Sequence, residues 1–84
     1  MILSGRQFRE GRQLAGMTQA DLAAAADVAL SLIVRTEAVD GMPMIRKRDE
    51  IAMRSVLEAA GVEFIPENGG GAGVRLRKVE PPTV

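Results

Sequence analysis

The sequence predicts a mainly α fold, four helices followed by a C-terminal β-hairpin. Apolar residues recur at helical spacing through most of the chain, whereas two short segments near its end alternate apolar and polar residues. Residues that favour helix starts and helix ends divide the helical part into four pieces. We therefore assign residues 1–61 to a helical domain, 62–78 to the hairpin and 79–84 to a flexible tail.

The first two helices each begin with a predicted capping box. Ser4 precedes a helix that we expect to run to about residue 15, and Gln7 stands at the position where it can return a hydrogen bond. Thr18 and Asp21 repeat this arrangement at the start of the second helix. Gly16 lies between the two helices, where a left-handed residue commonly ends a helix.

A tight turn at Asp27 separates the second helix from the third, which we expect over about residues 29–37. Asp27 has to adopt a left-handed conformation there, which Asp tolerates at modest cost. Val28 is expected to fill the turn, and Ile33 to face the core. The segment 40–43 then breaks the pattern, and a fourth helix is predicted over about residues 46–60.

The hairpin is predicted to pair residues 62–66 with residues 73–78 across a glycine-rich loop. Glu63 lies on one face of this ribbon, where it can pair with Arg75 or with Arg77 on the opposite strand. The other face carries four apolar side chains: Val62, Phe64, Val74 and Leu76.

The composition excludes several classes of function. The 84 residues include no Cys, His, Tyr or Trp, so disulfides are excluded and the usual general bases and zinc ligands are missing. We expect no enzyme, no metal and no cofactor. An apolar run long enough to span a membrane is missing, and we expect a cytoplasmic protein with no membrane partner.

The 11 basic and 11 acidic residues give no net charge, whereas nucleic-acid binders usually carry a basic surplus.

The segment 3–37 contains a set of residues at characteristic positions of a helix-turn-helix: Arg12, Gly16, Thr18, Gln19, Leu22, Ala23, Val28, Ile33 and Glu37. Through these residues the segment resembles the Cro/CI-like (XRE) helix-turn-helix proteins, which are phage repressors and bacterial transcription regulators. The segments 57–65 and 71–76 are similar to small bacterial members that append a hairpin. The resemblance implies a DNA-binding regulator acting as a dimer or larger oligomer, and an ion pair that holds the first and third helices together through Arg12 and Glu37.

Three residues are implied as contacts to double-stranded DNA. Gln19 opens the second helix, where amide protons favour a phosphate oxygen; we prefer this interpretation to the alternative of a solvated residue at a helix start. Ser31 and Arg35 lie on the outward face of the third helix, which enters the major groove in this family. The basic run 46–48 is directly followed by two acids, and we interpret it as a solvated charge cluster rather than as a phosphate contact.

The third helix departs from the family pattern. With Ile33 in the core, we expect Leu30, Leu32 and Val34 to face outwards where relatives carry polar side chains, and such a patch is typical of a protein contact. A second hypothesis is therefore a helix-turn-helix that docks onto another copy or another regulatory protein. The hairpin residues Phe64, Val74 and Leu76 are further candidates for an interface between subunits.

Overall fold

The computed structural model describes residues 3–66 and 73–76. These residues form four helices and an antiparallel two-stranded hairpin, which confirms the mainly α fold. The predicted loop 67–72, Arg77, Lys78 and the predicted tail 79–84 lie outside the described residues. The elements are α1 (Gly5–Leu14), α2 (Gln19–Ala26), α3 (Leu30–Glu37), α4 (Lys47–Ala59), β1 (Val62–Ile65) and β2 (Gly73–Leu76).

Both predicted capping boxes are present. The Ser4 hydroxyl accepts from the Gln7 backbone N–H and the Gln7 side chain accepts from the Ser4 backbone N–H, at 3.1 and 3.0 Å. Thr18 and Asp21 make the equivalent pair of bonds at the start of α2. The bond that Asp21 accepts from the Thr18 backbone lowers the pKa of its carboxyl group, and the bond to the Thr18 side chain adds to this. The two boxes fix where α1 and α2 begin.

The turn between α2 and α3 has the predicted geometry. Asp27 is left-handed, with φ of 56°, and its N–H bonds back to the end of α2. Val28 is partly buried against the core and Ile33 is completely buried. The chain reverses here without glycine, and α3 packs directly on α2.

The core lies between the helices and one face of the hairpin. Phe8 is completely buried in it, and the ring of Phe8 lies 6.3 Å from that of Phe64 in a tilted arrangement. Because Phe64 is buried in this core, it is not available for an interface between subunits. Of the three hairpin residues predicted for such an interface, Val74 and Leu76 remain. The other buried apolar residues are Leu3, Leu22, Ala23, Ala26, Ile33, Met53, Leu57 and Val62.

The hairpin has the register that the alternating pattern predicts. Val62 pairs with Leu76 and Phe64 with Val74, which places these four side chains on one face. Glu63 lies opposite Arg75, and the two form an ion pair of 2.9 Å, whose hydrogen bond raises the pKa of Arg75. In the part of the chain that the structure describes, no helix is long and apolar enough to cross a membrane.

Candidate nucleic-acid interface

The relative position of α1 and α3 is fixed by Arg12 and Glu37. The guanidinium donates to both carboxylate oxygens of Glu37, at 2.8 and 2.9 Å, in the two-pronged geometry that Arg favours. It also donates to the backbone oxygen of Met17 at 2.8 Å. Both side chains are largely buried, with 13% and 3% of their surface exposed. This ion pair joins α1, the α1–α2 turn and the end of α3 behind the outward face of α3.

Gln19 is the first residue of α2 and is half-buried. Its side-chain amide donates to Glu37 at 3.3 Å, so it shares the carboxylate that Arg12 holds. This contact keeps the Gln19 side chain beside the N-terminus of α2. The sequence placed Gln19 at a helix start, but it gave no sign of the bond to a residue at the end of another helix.

Ser31 and Arg35 lie on the outward face of α3. Both are exposed, and they are four residues apart, so they occupy successive turns of the same face. The opposite face of α3 is buried through Ile33, Thr36 and Glu37. The two polar residues predicted to reach bases are therefore side by side and accessible to solvent.

A shallow groove runs between α3 and the start of α4. It is lined from α3 by Ser31, Leu32 and Arg35 and from the start of α4 by Arg46 and Arg48, and the carboxylates Asp27 and Asp49 also line it. The sequence pattern alone does not connect the basic run 46–48 with α3. The structure places two of its arginines in the same groove as Ser31 and Arg35, because the connection between α3 and α4 brings the start of α4 back beside α3.

The described cations divide into two groups. Most are neutralised by a carboxylate within the same subunit: Arg6, Arg9, Arg12, Arg48, Arg54 and Arg75 each have an acidic partner. Among residues 3–66 and 73–76, the cations without such an ion pair are Arg35, Arg46 and Lys47, all exposed. They lie on α3 or at the start of α4. Asp27 also forms no ion pair within the described residues and lines the same groove as Arg35 and Arg46, so zero net charge conceals a small local excess of unpaired positive charge beside α3.

The three apolar residues of α3 do not share one surface. Leu30 and Val34 are each nearly half exposed and, four residues apart, lie on one flank of the helix. Leu32 is partly buried and faces the groove beside Arg46. The reason is geometric, because Leu32 and Val34 are each about 100° from the buried Ile33 in opposite directions. The predicted apolar patch is thus a two-residue stripe of Leu30 and Val34.

A second groove opens on the other side of Arg35. Its lining includes the exposed side chains Val39, Met42 and Met44, together with Pro43 and Ile45. Arg35 therefore borders both grooves. From the sequence, the segment 40–43 is only a break between helices, although Met42 in this segment and Met44 directly after it lie at no predicted core position, which is a signal of surface exposure.

No group of His, Cys, Asp or Glu side chains within the described ranges is arranged to hold a metal ion. Comparison with models of known protein families found no match, and neither did comparison with curated proteins.

Proposed function

We propose that this protein is a DNA-binding transcription regulator of the Cro/CI-like (XRE) type that acts as a homo-oligomer in the bacterial cytoplasm. The observation that carries the proposal is the set of unpaired cations on α3 and at the start of α4: Arg35, Arg46 and Lys47. Affinity for DNA comes largely from neutralising phosphates. Segregated charge can supply this even where the total is zero.

In the proposed complex α3 lies in the major groove. Ser31 and Arg35 face the base edges, where Arg can donate two hydrogen bonds to guanine and Ser can donate or accept one. Arg46 and Lys47 lie at the start of α4 and contact the phosphates that border the groove. Gln19 contributes at the start of α2, where free backbone amides favour an anion. The proposal needs no catalytic residue, metal or cofactor.

The first test is a titration of the full-length protein with duplex DNA of random sequence at several salt concentrations. If Arg46 and Lys47 contact phosphates, the logarithm of the binding constant should fall with the logarithm of salt with a slope of about −2 per subunit. A slope near zero, or no binding in 50 mM salt, would contradict the proposal.

The second test compares cations at different places on the surface. Replacing Arg46 or Lys47 by Gln should weaken binding to every sequence and reduce the slope by about 1 each. Arg75→Gln is the matched control, because it removes an exposed cation from the hairpin that Glu63 already neutralises. Equal effects of Arg46→Gln and Arg75→Gln would show that binding does not depend on the proposed surface.

Arg35→Gln separates base recognition from phosphate contact. A selection of duplexes from a random pool should yield a preferred sequence with the unchanged protein. Against this sequence Arg35→Gln should lose about 1–3 kcal/mol, with a smaller loss against random DNA. A uniform loss on both would reassign Arg35 to a phosphate.

The proposed homo-oligomer reads two half-sites. A two-fold dimer would place two α3 helices about 34 Å apart, one turn of DNA, and the exposed Leu76 of β2 is the proposed contact between hairpins. Leu76→Ser should then lower the mass measured by light scattering, and the preferred sequence should be a palindrome. If the unchanged protein binds DNA as a monomer, this part of the proposal is contradicted.

A second candidate function is self-association through α3 without DNA. It is favoured by the Leu30 and Val34 stripe, which leaves two branched apolar side chains nearly half exposed. Replacing both residues by Ser should then dissolve an assembly larger than a dimer while leaving the helical content unchanged. An unchanged solution mass would exclude this candidate.

A further inference from the structure

The two methionines of the α3–α4 connection are exposed to an unusual degree. Met44 has 95% of its surface accessible and Met42 has 57%. Met53 is completely buried, and Met17 is partly buried against the core. A thioether is oxidised only where an oxidant can reach the sulfur, so these four residues differ sharply in susceptibility.

Arg35 lines the groove that Met42 and Met44 line. Within the described part of the chain it forms no ion pair, so its guanidinium has donors available. A thioether sulfur is only a weak hydrogen-bond acceptor, and Arg is a donor only. Oxidation would therefore convert two weak acceptors beside Arg35 into two polar ones.

We propose that Met42 and Met44 are sites of reversible oxidation by hydrogen peroxide, and that their sulfoxide oxygens accept hydrogen bonds from the guanidinium of Arg35. The sulfur attacks one peroxide oxygen, the O–O bond breaks, and an S–O bond forms. The other oxygen leaves as water after proton transfer. Sulfur loses two electrons and the peroxide gains them.

We also expect this oxidation to change DNA binding; this part of the inference rests on the proposed function. An Arg35 that is bonded to a sulfoxide has to break that bond before it can reach a base or a phosphate. Since one intramolecular hydrogen bond is worth a modest free energy, we expect oxidation to weaken binding by about two- to tenfold. Sulfoxide reductases should restore the affinity.

The experiment treats the full-length protein with hydrogen peroxide for increasing times and maps the added oxygen by peptide mass spectrometry. Met44 should be oxidised first, followed by Met42, while Met17 and Met53 lag behind. Oxidation of Met53 at the rate of Met44 would overturn the proposal. The double variant Met42→Leu/Met44→Leu is the control, because Leu has a similar volume and cannot be oxidised.

A second measurement follows the side-chain Nε–H signal of Arg35 by NMR, without DNA. Oxidation should shift this signal in the unchanged protein and leave it in place in the double variant, and reductase treatment should reverse the shift. An Arg35 signal that does not respond would overturn the inference even if the protein binds DNA. A response in a protein that fails to bind DNA would support the inference and reject the proposed function.

DNA titration completes the test. Peroxide should reduce the affinity of the unchanged protein but not that of Met42→Leu/Met44→Leu. An equal reduction in both would place the effect outside this groove, and no reduction in either would reject the link between oxidation and binding.

Discussion

The side-chain amide of Gln7 in α1 donates to the backbone oxygen of Ile65 in β1 at 3.1 Å, across 58 positions of the sequence. The same nitrogen donates to the oxygen of Gly73 in β2 at 3.2 Å. Gln7 also closes the capping box with Ser4. One buried side chain therefore caps the start of α1 and binds both strands of the hairpin. The hairpin is thus attached to the helical domain by polar as well as apolar contacts.

We predict that Gln7→Glu destabilises the protein. The carboxylate can still accept from Ser4, but it has no proton to donate and faces two carbonyl oxygens. An unsatisfied buried polar group costs about 1–3 kcal/mol, and more if it is charged. Urea unfolding at neutral pH measures this loss, and part of it should be recovered in acid, where a protonated Glu can donate.

Gln13→Glu is the matched control for this prediction, since Gln13 is an exposed residue of the same helix. It should change the free energy of unfolding by no more than about 0.5 kcal/mol. Similar effects at both positions would show that the bonds from Gln7 to the hairpin contribute little.

The Arg12–Glu37 pair predicts an asymmetric response to substitution. Arg12→Met leaves the nearly inaccessible carboxylate of Glu37 with only the long bond from Gln19, and stranding a buried charge costs about 3–5 kcal/mol. Glu37→Leu should cost less, because Arg12 is more exposed and keeps its bond to Met17. The double variant should be more stable than the sum of the two losses predicts.

Unfolding of the two single variants and the double variant gives the coupling energy directly. Arg6→Met provides the comparison with a surface pair, since the contact of Arg6 with Glu10 is long and exposed; it should cost less than about 1 kcal/mol. Additive effects of Arg12→Met and Glu37→Leu would contradict the prediction.

Local sequence signals predicted the elements well. The capping residues Ser4 and Thr18, the left-handed turn at Asp27 and the alternation around Phe64 each depend on a few neighbouring residues, and each is found in the structure. Such features follow from backbone sterics and local hydrogen bonds, which act over one or two turns.

Long-range contacts were predicted less well. The role of Gln7 depends on where the hairpin returns, and the proximity of Arg46 to Ser31 depends on the path between α3 and α4. Neither is encoded in a local pattern. Leu32 illustrates the same limit, since periodicity places it off the core face, whereas in the structure it is partly buried and lines the groove that Arg46 also lines.

Gly5 provides a third prediction. A Cβ at this position would collide with the backbone oxygens of Val39 and Thr36, which lie against the start of α1. Backbone atoms cannot rotate away as a side chain can, so Gly5→Ala should cost at least about 1–3 kcal/mol. The direction of this change in stability is informative, because helix propensity alone would make Gly5→Ala stabilising.

Thermal unfolding of Gly5→Ala and Gly41→Ala tests this explanation. Gly41 belongs to the same contact, since its backbone oxygen accepts from the Gly5 N–H at 2.8 Å, but a Cβ there meets no atom within 4 Å. Gly41→Ala should therefore be neutral or slightly stabilising. A Gly5→Ala protein as stable as the parent would show that α1 can move away from the end of α3.

The last prediction concerns Asp21 and acid stability. Its carboxyl group has a lowered pKa in the folded protein because it accepts hydrogen bonds from Thr18, first from the backbone and then from the side chain. The ionised form is therefore favoured by folding. This contribution is fully present above the unfolded pKa near 3.8 and is lost as the pH falls through the lower folded value.

Asp21→Asn keeps an oxygen that can accept from Thr18 but removes the titration. We expect the parent protein to be the more stable of the two at pH 6, and the difference to shrink as the pH falls below about 3.8. Urea unfolding across this range measures the difference, and NMR of the Asp21 carboxyl carbon gives its pKa. A difference that is constant from pH 6 to pH 2.5 would contradict the prediction, because only a group that titrates differently in the folded and unfolded chain makes stability depend on pH.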